Sequence, residues 1–326
     1  MMKRGIRLVR TVVGVGVFIL ISAFCSFAVD FPTKPITIVN PYSPGGSLDL
    51  NCRIMAKYLG PILKQAVVVE NKTGGGGVVG YTAVAKSPPD GYTLTMLATP
   101  MIYNFMAIPG VTYTHESFAT IAQLNYEPNL MMIKKGGKLD MPPEKLLAYL
   151  KQNPNTVTAG TGGCWASLHM ATEYLEMVAG FKFRKVHFTG GGPALTNLLG
   201  GHVDMIFSYY SETFQHILSG EIKPVAIAAE KRSVFLPNTP TFKELGMEVV
   251  IGTWRGLGAA AGTPDAVVTV LENASREALN KPEVVEEFKK INLELAFKDR
   301  KAFAQLIADD VKRFKPVVEQ IKQSKD

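Results

Sequence analysis

The feature that most constrains the fold is a repeated local design: a short apolar run, a glycine-rich turn and an amphipathic segment. In the first copy the apolar run Ile36–Val39 leads into the turn Pro41-Tyr42-Ser43-Pro44-Gly45-Gly46-Ser47. Apolar residues then recur at i, i+4, i+7 and i+11, as Leu48, Cys52, Met55 and Leu59. This spacing indicates one apolar helix face. The pattern predicts a strand, a tight turn and a helix with Ser47 as its N-cap.

The same strand–turn–helix pattern recurs along the chain. Glycine-rich turns lie at residues 43–47, 73–77, 160–167 and 189–193, each after a strand-like run and before a helix-like one. Because strands alternate with helices, the sequence predicts an α/β fold with largely parallel sheets. In open α/β sheets ligands bind at the carboxyl ends of the strands, where such turns lie. We therefore expect the four turns to share a ligand-binding edge.

The chemistry of the first turn favours a small anion. Glycines allow close approach of the backbone, and the first N–H groups of a helix lack partners inside the helix. Together with the helix dipole they make an anion site. The turn 43–47 lacks the Gly-Lys-Ser/Thr of a Walker A loop and the Gly-x-Gly-x-x-Gly dinucleotide pattern. A carboxylate therefore fits better than a nucleotide, and an ordinary tight βα turn is the alternative.

Three further expectations concern local structure. Residues 101–128, rich in Met, Tyr and Pro, show no clear period and are expected to be irregular. Residues 238–246 are predicted to form a turn followed by a short helix. Pro193 suits the first position of a helix that Gly200-Gly201 closes.

The amino terminus has the pattern of a secretory signal peptide. Four basic residues precede an uncharged run from Thr11 to Phe24, and Ser26-Phe27-Ala28 gives a small-x-small cleavage pattern. We expect a signal peptide over residues 1–28, cleaved near Ala28, and a periplasmic mature chain. The net charge of +7 includes those four bases. The remaining chain is close to neutral, which argues against nucleic acid as a partner.

The reactive residue types indicate neither a metal site nor a catalytic one. Cys52 and Cys164 show no CxxC or Cys-His spacing, although a single bridge between them stays open. The histidines show no metal spacing, and no cofactor is predicted. An exported hydrolase would use Ser167 with His169. Residues two apart on a helix point away from each other, however, and Gly-x-Ser-x-Gly is absent.

A series of motifs across the mature chain resembles one family. The segments, in order, are Phe31-Pro32-Thr33-Lys34-Pro35-Ile36, Pro41-Tyr42-Ser43-Pro44-Gly45-Gly46-Ser47-Leu48-Asp49, Val69-Glu70-Asn71-Lys72-Thr73-Gly74-Gly75-Gly76-Gly77, Pro89-Asp90-Gly91-Tyr92-Thr93-Leu94, Gly192-Pro193-Ala194-Leu195-Thr196-Asn197-Leu198-Leu199-Gly200-Gly201-His202-Val203-Asp204 and Ala261-Gly262-Thr263-Pro264. In this order they resemble the substrate-binding proteins of the tripartite tricarboxylate transporter, or Bug, family.

The resemblance implies a two-lobed periplasmic-binding-protein fold of type II, each lobe a mostly parallel sheet flanked by helices. Residues 29–130 plus 251–326 would form one lobe and residues 131–250 the other, closing over a ligand. The implied function is capture of a small carboxylate, with aromatic and dicarboxylic acids as candidates, for delivery to membrane permease subunits. The chain would be a monomer and not an enzyme. A ligand sensor for a membrane kinase is the alternative.

The resemblance also implies the binding residues. The ligand carboxylates would lie between the turn at 42–47 and the turn at 161–169, held largely by backbone N–H groups and waters. Candidate ligand-binding residues are Tyr42, Ser43, Pro44, Gly45, Gly46, Ser47, Asp49, Thr161, Gly162, Gly163, Cys164, Trp165, Ala166, Ser167, His169 and Ser208.

The chain departs from the family pattern in the second turn. The family usually has Gly-Ser where this chain has Trp165-Ala166, so Ser167 or Thr161 would have to supply the missing hydroxyl. Trp165 suggests a pocket altered for a flat or aromatic ligand, or else packing near the hinge without ligand contact. A residue that is often Asp in the family is Ser208 here.

Three polar residues need separate interpretation, and two of them have an alternative. Asp49 would either reach a ligand amine or hydroxyl through water, or act as a first-turn acid that favours the helix dipole. His169 is expected to make a structural hydrogen bond. Arg255 would pair with a ligand carboxylate or form an ion pair between the lobes.

Overall fold

A computed structural model describes residues 30–323, and from Phe31 onward these residues belong to one compact unit. The expected signal peptide of residues 1–28 lies outside the described residues. Within residues 30–323, no helix combines the length and the apolar character needed to cross a bilayer.

Two sheets organise the described chain. The first has the strand order β11-β4-β10-β3-β1-β2 and the second the order β7-β6-β8-β5-β9. The strands of the first sheet are β1 (Ile36–Asn40), β2 (Val67–Asn71), β3 (Thr93–Ala98), β4 (Phe118–Pro128), β10 (Gly252–Ala260) and β11 (Leu295–Asp299). Those of the second are β5 (Leu130–Lys134), β6 (Thr158–Thr161), β7 (Arg184–His187), β8 (Met205–Ser208) and β9 (Ile222–Ile227).

Helices connect and cover the strands. They are α1 (Ser47–Leu63), α2 (Val78–Ala85), α3 (Pro100–Ala107), α4 (Pro143–Gln152), α5 (Ser167–Ala179), α6 (Gly191–Gly200), α7 (Tyr210–Leu218), α8 (Asp265–Leu279), α9 (Pro282–Lys290) and α10 (Arg300–Gln323). Short 3₁₀ turns lie at Gly75–Gly77 and His115–Ser117. The predicted α/β class is confirmed.

Both sheets are mixed. Parallel pairs join β1 to β2 and β3, and β6 to β7 and β8. However, β10 runs antiparallel to β3 and β4, and β5 runs antiparallel to β8 and β9. The expectation of mostly parallel sheets therefore needs correction. In the first sheet its cause is that the long strands β4 and β10 gave no strand signal in the sequence.

The core packs on both faces of the second sheet. Along β5, Leu130 and Met132 enter one apolar cluster, while Met131 and Ile133 enter another that also reaches the first sheet. This alternation follows from the two-residue period of a strand. The shared cluster includes Trp254 of β10, which is fully buried and donates its Nε1 hydrogen to Asp310 Oδ2 at 2.9 Å.

Where the chain passes between the sheets, the crossings are hydrogen-bonded to one another. Asn129 N–H donates to the Ile251 carbonyl at 3.0 Å, and Ile251 N–H donates to the Ala228 carbonyl at 3.0 Å. Ala228 N–H in turn donates to the Asn129 carbonyl at 2.9 Å. The residues that join the two sheets thus lie side by side.

The expectation of irregular structure over residues 101–128 is wrong. This range holds most of α3, which begins at Pro100, and the eleven-residue strand β4. The register of β10 against β4 shifts between Arg255 and Gly256 and between Leu257 and Gly258. Such irregularities disturb the alternation by which a strand is recognised.

Three local predictions also need correction. Residues 238–246 form turns without the short helix. The N-cap of α1 is Gly46, so Ser47 is the first helical residue, and no side chain caps the helix. Helix α6 begins at Gly191, so Pro193 is its third residue rather than its first.

Candidate functional site

A cavity of about 360 Å³ lies where strands of the two sheets end, and we call it the helix-start cavity. The residues that line it come from the turns after β1, β6, β7 and β8 and from the strand ends of β3 and β10. They are Tyr42, Ser43, Gly46, Ser47, Leu48, Ala98, Pro100, Gly162, Ala166, Ser167, Leu168, Gly190, Gly191, Tyr209, Glu212, Thr253 and Arg255.

Five helices begin at this cavity. Lining residues include the first residues of α1, α3, α5 and α6 and the N-cap of α7, which are Ser47, Pro100, Ser167, Gly191 and Tyr209. The N-cap side chain caps none of these helices, but in α7 Ser211 N–H donates a hydrogen bond to Glu127 Oε1 of β4 at 3.1 Å. Each helix start carries partial positive charge and N–H groups without partners inside the helix. The geometry is therefore suited to a small anion.

The turns before α1 and α5 are closed by the same hydrogen bond and end in N-caps of the same backbone conformation. Gly46 N–H donates to the Ser43 carbonyl at 3.4 Å, and Ala166 N–H donates to the Gly163 carbonyl at 3.3 Å. The N-caps are extended alike, with φ −74° and ψ 168° at Gly46 and φ −77° and ψ 159° at Ala166. The two turns thus present equivalent helix starts to one cavity.

The third residue of each turn has a positive φ. It is Gly45 in the first turn, with φ 78°, and Trp165 in the second, with φ 63°. A glycine adopts this conformation without steric cost, whereas a bulky residue there is strained. Trp165 therefore occupies the position that favours glycine most.

Asp49 stabilises the first turn through hydrogen bonds. Its Oδ2 accepts hydrogen bonds from Gly45 N–H at 2.9 Å and from Arg53 Nε at 2.8 Å. Loss of hydration raises the pKa of Asp49, but these hydrogen bonds outweigh it and lower the pKa below its ordinary value. Asp49 is buried and does not line the helix-start cavity. Its geometry fits the structural interpretation.

His169 stabilises the second turn through a hydrogen bond of the same kind. Its Nδ1 accepts a hydrogen bond from Trp165 N–H at 3.2 Å, and its Nε2 lies 3.1 Å from Glu173 Oε1. Burial raises the pKa of Glu173, but hydrogen bonds from His169 and Lys185 outweigh it and lower the pKa to about 2. His169 thus makes the structural hydrogen bond expected of it. Both of its ring nitrogens are engaged, so it is not placed as a base for Ser167.

Ser47 and Ser167, the first residues of α1 and α5, have different environments. Ser167 Oγ lies 2.9 Å from Thr253 Oγ1, which is also 2.7 Å from the Tyr209 hydroxyl. Ser47 Oγ is buried without a hydrogen-bond partner among the described residues. A buried unsatisfied hydroxyl is costly, so Ser47 Oγ is a natural donor to a bound acid.

Arg255 lies in the cavity wall and is 4% exposed. Its guanidinium contacts Glu127 Oε2 at 3.0 Å and Asn125 Oδ1 at 3.3 Å. Both partners lie on β4, the neighbour of β10 in the same sheet, so the ion pair does not join the two sheets as one interpretation expected. Arg255 has five N–H donors, more than these two contacts use.

The predicted residues divide into two groups. Those that line the helix-start cavity are Tyr42, Ser43, Gly46, Ser47, Gly162, Ala166 and Ser167. Those outside its lining are Pro44, Gly45, Asp49, Thr161, Gly163, Cys164, Trp165, His169 and Ser208. Trp165 packs beside His169, with ring centroids 6.1 Å apart. Cys52 is a buried thiol and forms no disulfide with Cys164. Ligand contact by any of these residues stays a prediction.

Several lining residues were not among the predicted ones. The turn at 189–193 was expected at the ligand-binding edge, and pairing with a ligand carboxylate was one interpretation of Arg255, but neither is among the predicted ligand-binding residues. Glu212 gave no local signal in the sequence, and its place in the first turn of α7 comes from the structure. Thr253 and Arg255 reach the cavity only because β10 pairs between β3 and β4, which is a long-range contact.

A larger cavity, of about 740 Å³, lies between β4, β11 and α10. Its wall carries charges of both signs, including Glu230, Arg232, Asp309 and Arg313. None of the described helices begins there. By size alone this cavity would be the better candidate for a ligand site. The helix-start cavity, however, has the chemistry that selects an anion.

The family model for the tripartite tricarboxylate transporter family receptor, TctC, matches residues 52–323. Protein BugT from Bordetella pertussis is 31% identical over 315 residues, which cover 95% of this chain and 96% of BugT.

Solved structures agree. A TctC solute-binding protein from Polaromonas is 31% identical with a TM-score of 0.79, covering 89% of this chain and 99% of that one. MatC from Rhodopseudomonas palustris, solved with bound malate, is 26% identical with a TM-score of 0.75, covering 88% of this chain and 100% of that one. The expected type of fold is therefore confirmed, and this chain belongs to the TctC family of tripartite tricarboxylate transporter receptors, which are solute-binding proteins.

Proposed function

We propose that this protein captures a small carboxylate in the helix-start cavity and delivers it to the permease subunits of a tripartite tricarboxylate transporter. The observation that carries the proposal is the convergence of five helix starts on one cavity, four of them without a side-chain cap. Each contributes about 0.3–1 kcal/mol toward a nearby negative charge. Together they can bind an acid without a dedicated cation.

A linear dicarboxylate is the preferred ligand class. The turns before α1 and α5 present equivalent donors, so each can take one carboxylate of a dianion. The malate bound by MatC, a dicarboxylate, supports this class. Aromatic acids remain the alternative. Trp165 was the residue that suggested them, and it lies outside the lining of the cavity.

We further propose that residues 29–130 plus 251–326 and residues 131–250 act as two lobes that close over the ligand. The first sheet draws its strands from the first set and the second sheet from the other. The crossings at Asn129, Ala228 and Ile251 are hydrogen-bonded to one another, so the connections between the two sets lie together, where a hinge could act. The mature protein would act in the periplasm as a monomer after cleavage near Ala28.

The test is a thermal-shift and calorimetry screen of aliphatic, dicarboxylic and aromatic acids against the mature chain. A ligand at 100 times its dissociation constant should add about 2.7 kcal/mol of stability. The variant Ala166→Phe, which fills the cavity at a compatible extended backbone position, should abolish the shift. Ala302→Phe, at an exposed position on α10, is the control and should bind like wild type. No stabilising acid, or equal binding by Ala166→Phe, would refute the proposal.

A further inference from the structure

Glu212 brings a carboxylate to a wall that is otherwise suited to an anion. It is the third residue of α7, and it is the only acidic residue among the described residues that line the helix-start cavity. It also lines an adjoining cavity of about 370 Å³. An ideal Cβ built on Gly191 would lie 2.6 Å from Glu212 Oε2. The carboxylate therefore abuts the first residue of α6.

The protein leaves this carboxylate mostly unsatisfied. Ser208 Oγ donates a long hydrogen bond to Glu212 Oε2, at 3.5 Å. Among the described residues no cation forms an ion pair with it, and Arg255 pairs with Glu127 instead, at 3.0 Å. An ionised carboxylate can accept about four hydrogen bonds. Acceptor sites on Glu212 are therefore available to a ligand.

The charges around Glu212 do not favour a second anion beside it. The facing charged groups are Glu127 of β4 and Arg255 of β10, with Lys290 of α9 across the adjoining cavity. Loss of hydration and the negative charge of Glu127 raise the pKa of Glu212 to about 7, although Arg255 and Ser208 act in the opposite direction. Glu212 therefore titrates near neutral pH.

We propose that Glu212 is a specificity-determining residue, which selects acids that place a hydroxyl or ammonium group opposite its carboxylate. It discriminates against acids that place a second carboxylate there. The inference rests on the proposed function and refines the ligand class. The helix starts take the carboxylates of the ligand, while Glu212 accepts a hydrogen bond from the donor group. When a ligand lacks a donor group at this position, the Glu212 carboxylate stays buried beside it without a compensating hydrogen bond, which is unfavourable.

The experiment measures dissociation constants for matched triplets that differ only at one carbon. They are propionate, lactate and alanine; succinate, malate and aspartate; and phenylacetate, mandelate and phenylglycine. Wild type should prefer the hydroxy or amino member of the triplet it binds. The variant Glu212→Gln should weaken that member at least about tenfold, the size of one charged hydrogen bond. The plain acid should bind as well as before or more tightly.

A control variant shows whether removing a glutamate charge outside the cavity changes ligand affinity. Glu144→Gln makes the same change in the first turn of α4, at an exposed position outside the helix-start cavity. It should leave all dissociation constants unchanged. Unfolding midpoints of both variants should match wild type, so that a change in affinity is not a change in folding.

The pH profile provides a second readout. For an ammonium ligand, wild-type affinity should fall as the pH drops from 8 to 6, because Glu212 loses its charge near pH 7. For a plain acid it should rise over the same range. Both slopes should vanish in Glu212→Gln.

The outcomes distinguish the two proposals. If wild type binds no member of any triplet, the proposed function fails and this inference fails with it. If wild type binds an acid but shows no preference within its triplet, or if Glu212→Gln keeps the wild-type preference, only the role of Glu212 is refuted.

Discussion

The turns before α1 and α5 are two versions of one device. In each, a hydrogen bond closes the turn, the third helical residue accepts from a backbone N–H, and a partner four residues on completes the support. The first version uses Gly45 with Asp49 and Arg53. The second uses Trp165 with His169 and Glu173. The hydrogen bonds common to both turns present a helix start to the cavity. The residues that differ determine the backbone strain at the third position, the pH dependence of the support and whether the serine hydroxyl has a hydrogen-bond partner.

The largest effect is expected from a charge placed at a helix start. Ser47→Asp puts an acid at the first position of α1, which is favourable to the helix and should preserve folding. Two like charges about 4 Å apart repel by about 4 kcal/mol at an effective dielectric constant near 20. Carboxylate affinity measured by calorimetry should therefore fall about a thousandfold.

The matched neutral variant is Ser47→Asn. It has a similar size without the charge and should bind within about tenfold of wild type. If Ser47→Asp binds acids normally, the α1 start does not hold the ligand, and the equivalence of the two turns has no functional meaning.

The next effect concerns the pH dependence of the support of the second turn. The pKa of Glu173 is about 2 in the folded protein, below its ordinary value of 4.5. A lowered pKa stabilises the fold above the ordinary value, and the contribution disappears as pH falls from about 5 to 2. At about 1.4 kcal/mol per unit, it amounts to about 3 kcal/mol. Urea unfolding of Glu173→Gln should therefore lose less stability between pH 6 and pH 3 than wild type does.

The control is Glu286→Gln, whose partner Lys289 forms an exposed surface pair. Its pH dependence should match that of wild type. If Glu173→Gln also matches wild type, the His169 support does not carry the stabilising charge assigned to it.

The smallest effect concerns backbone strain. An added Cβ at Gly45 meets no atom within 4 Å, so Gly45→Ala should cost only the price of its positive φ, about 1–2 kcal/mol. Trp165→Gly relieves the same strain but adds freedom to the unfolded chain and loses packing. Its free energy of unfolding should stay within about 1 kcal/mol of wild type, with unchanged preference between aliphatic and aromatic acids. A loss above 3 kcal/mol, or a changed preference, would show that the Trp165 side chain shapes the pocket.

Local patterns predicted much of the fold and about half of the candidate site. Helical spacing after Gly46 and after Ala166 marked α1 and α5, because a buried helix face repeats within the sequence itself. By contrast, β4 and β10 are recognised only by their pairing within the sheet, and register shifts near Arg255 hide their alternation. The same limit applies to the site. The backbone of the turns is local chemistry, whereas Thr253, Arg255 and Glu212 reach the cavity through long-range contacts.

The most direct test is a crystal structure of the mature protein with the acid that binds most tightly in the screen. The account predicts a ligand carboxylate within hydrogen-bond distance of backbone N–H groups at the starts of α1 and α5, with Ser47 Oγ as a further donor. A ligand bound in the larger cavity beside Tyr126 and Arg313, with the helix-start cavity empty, would contradict it.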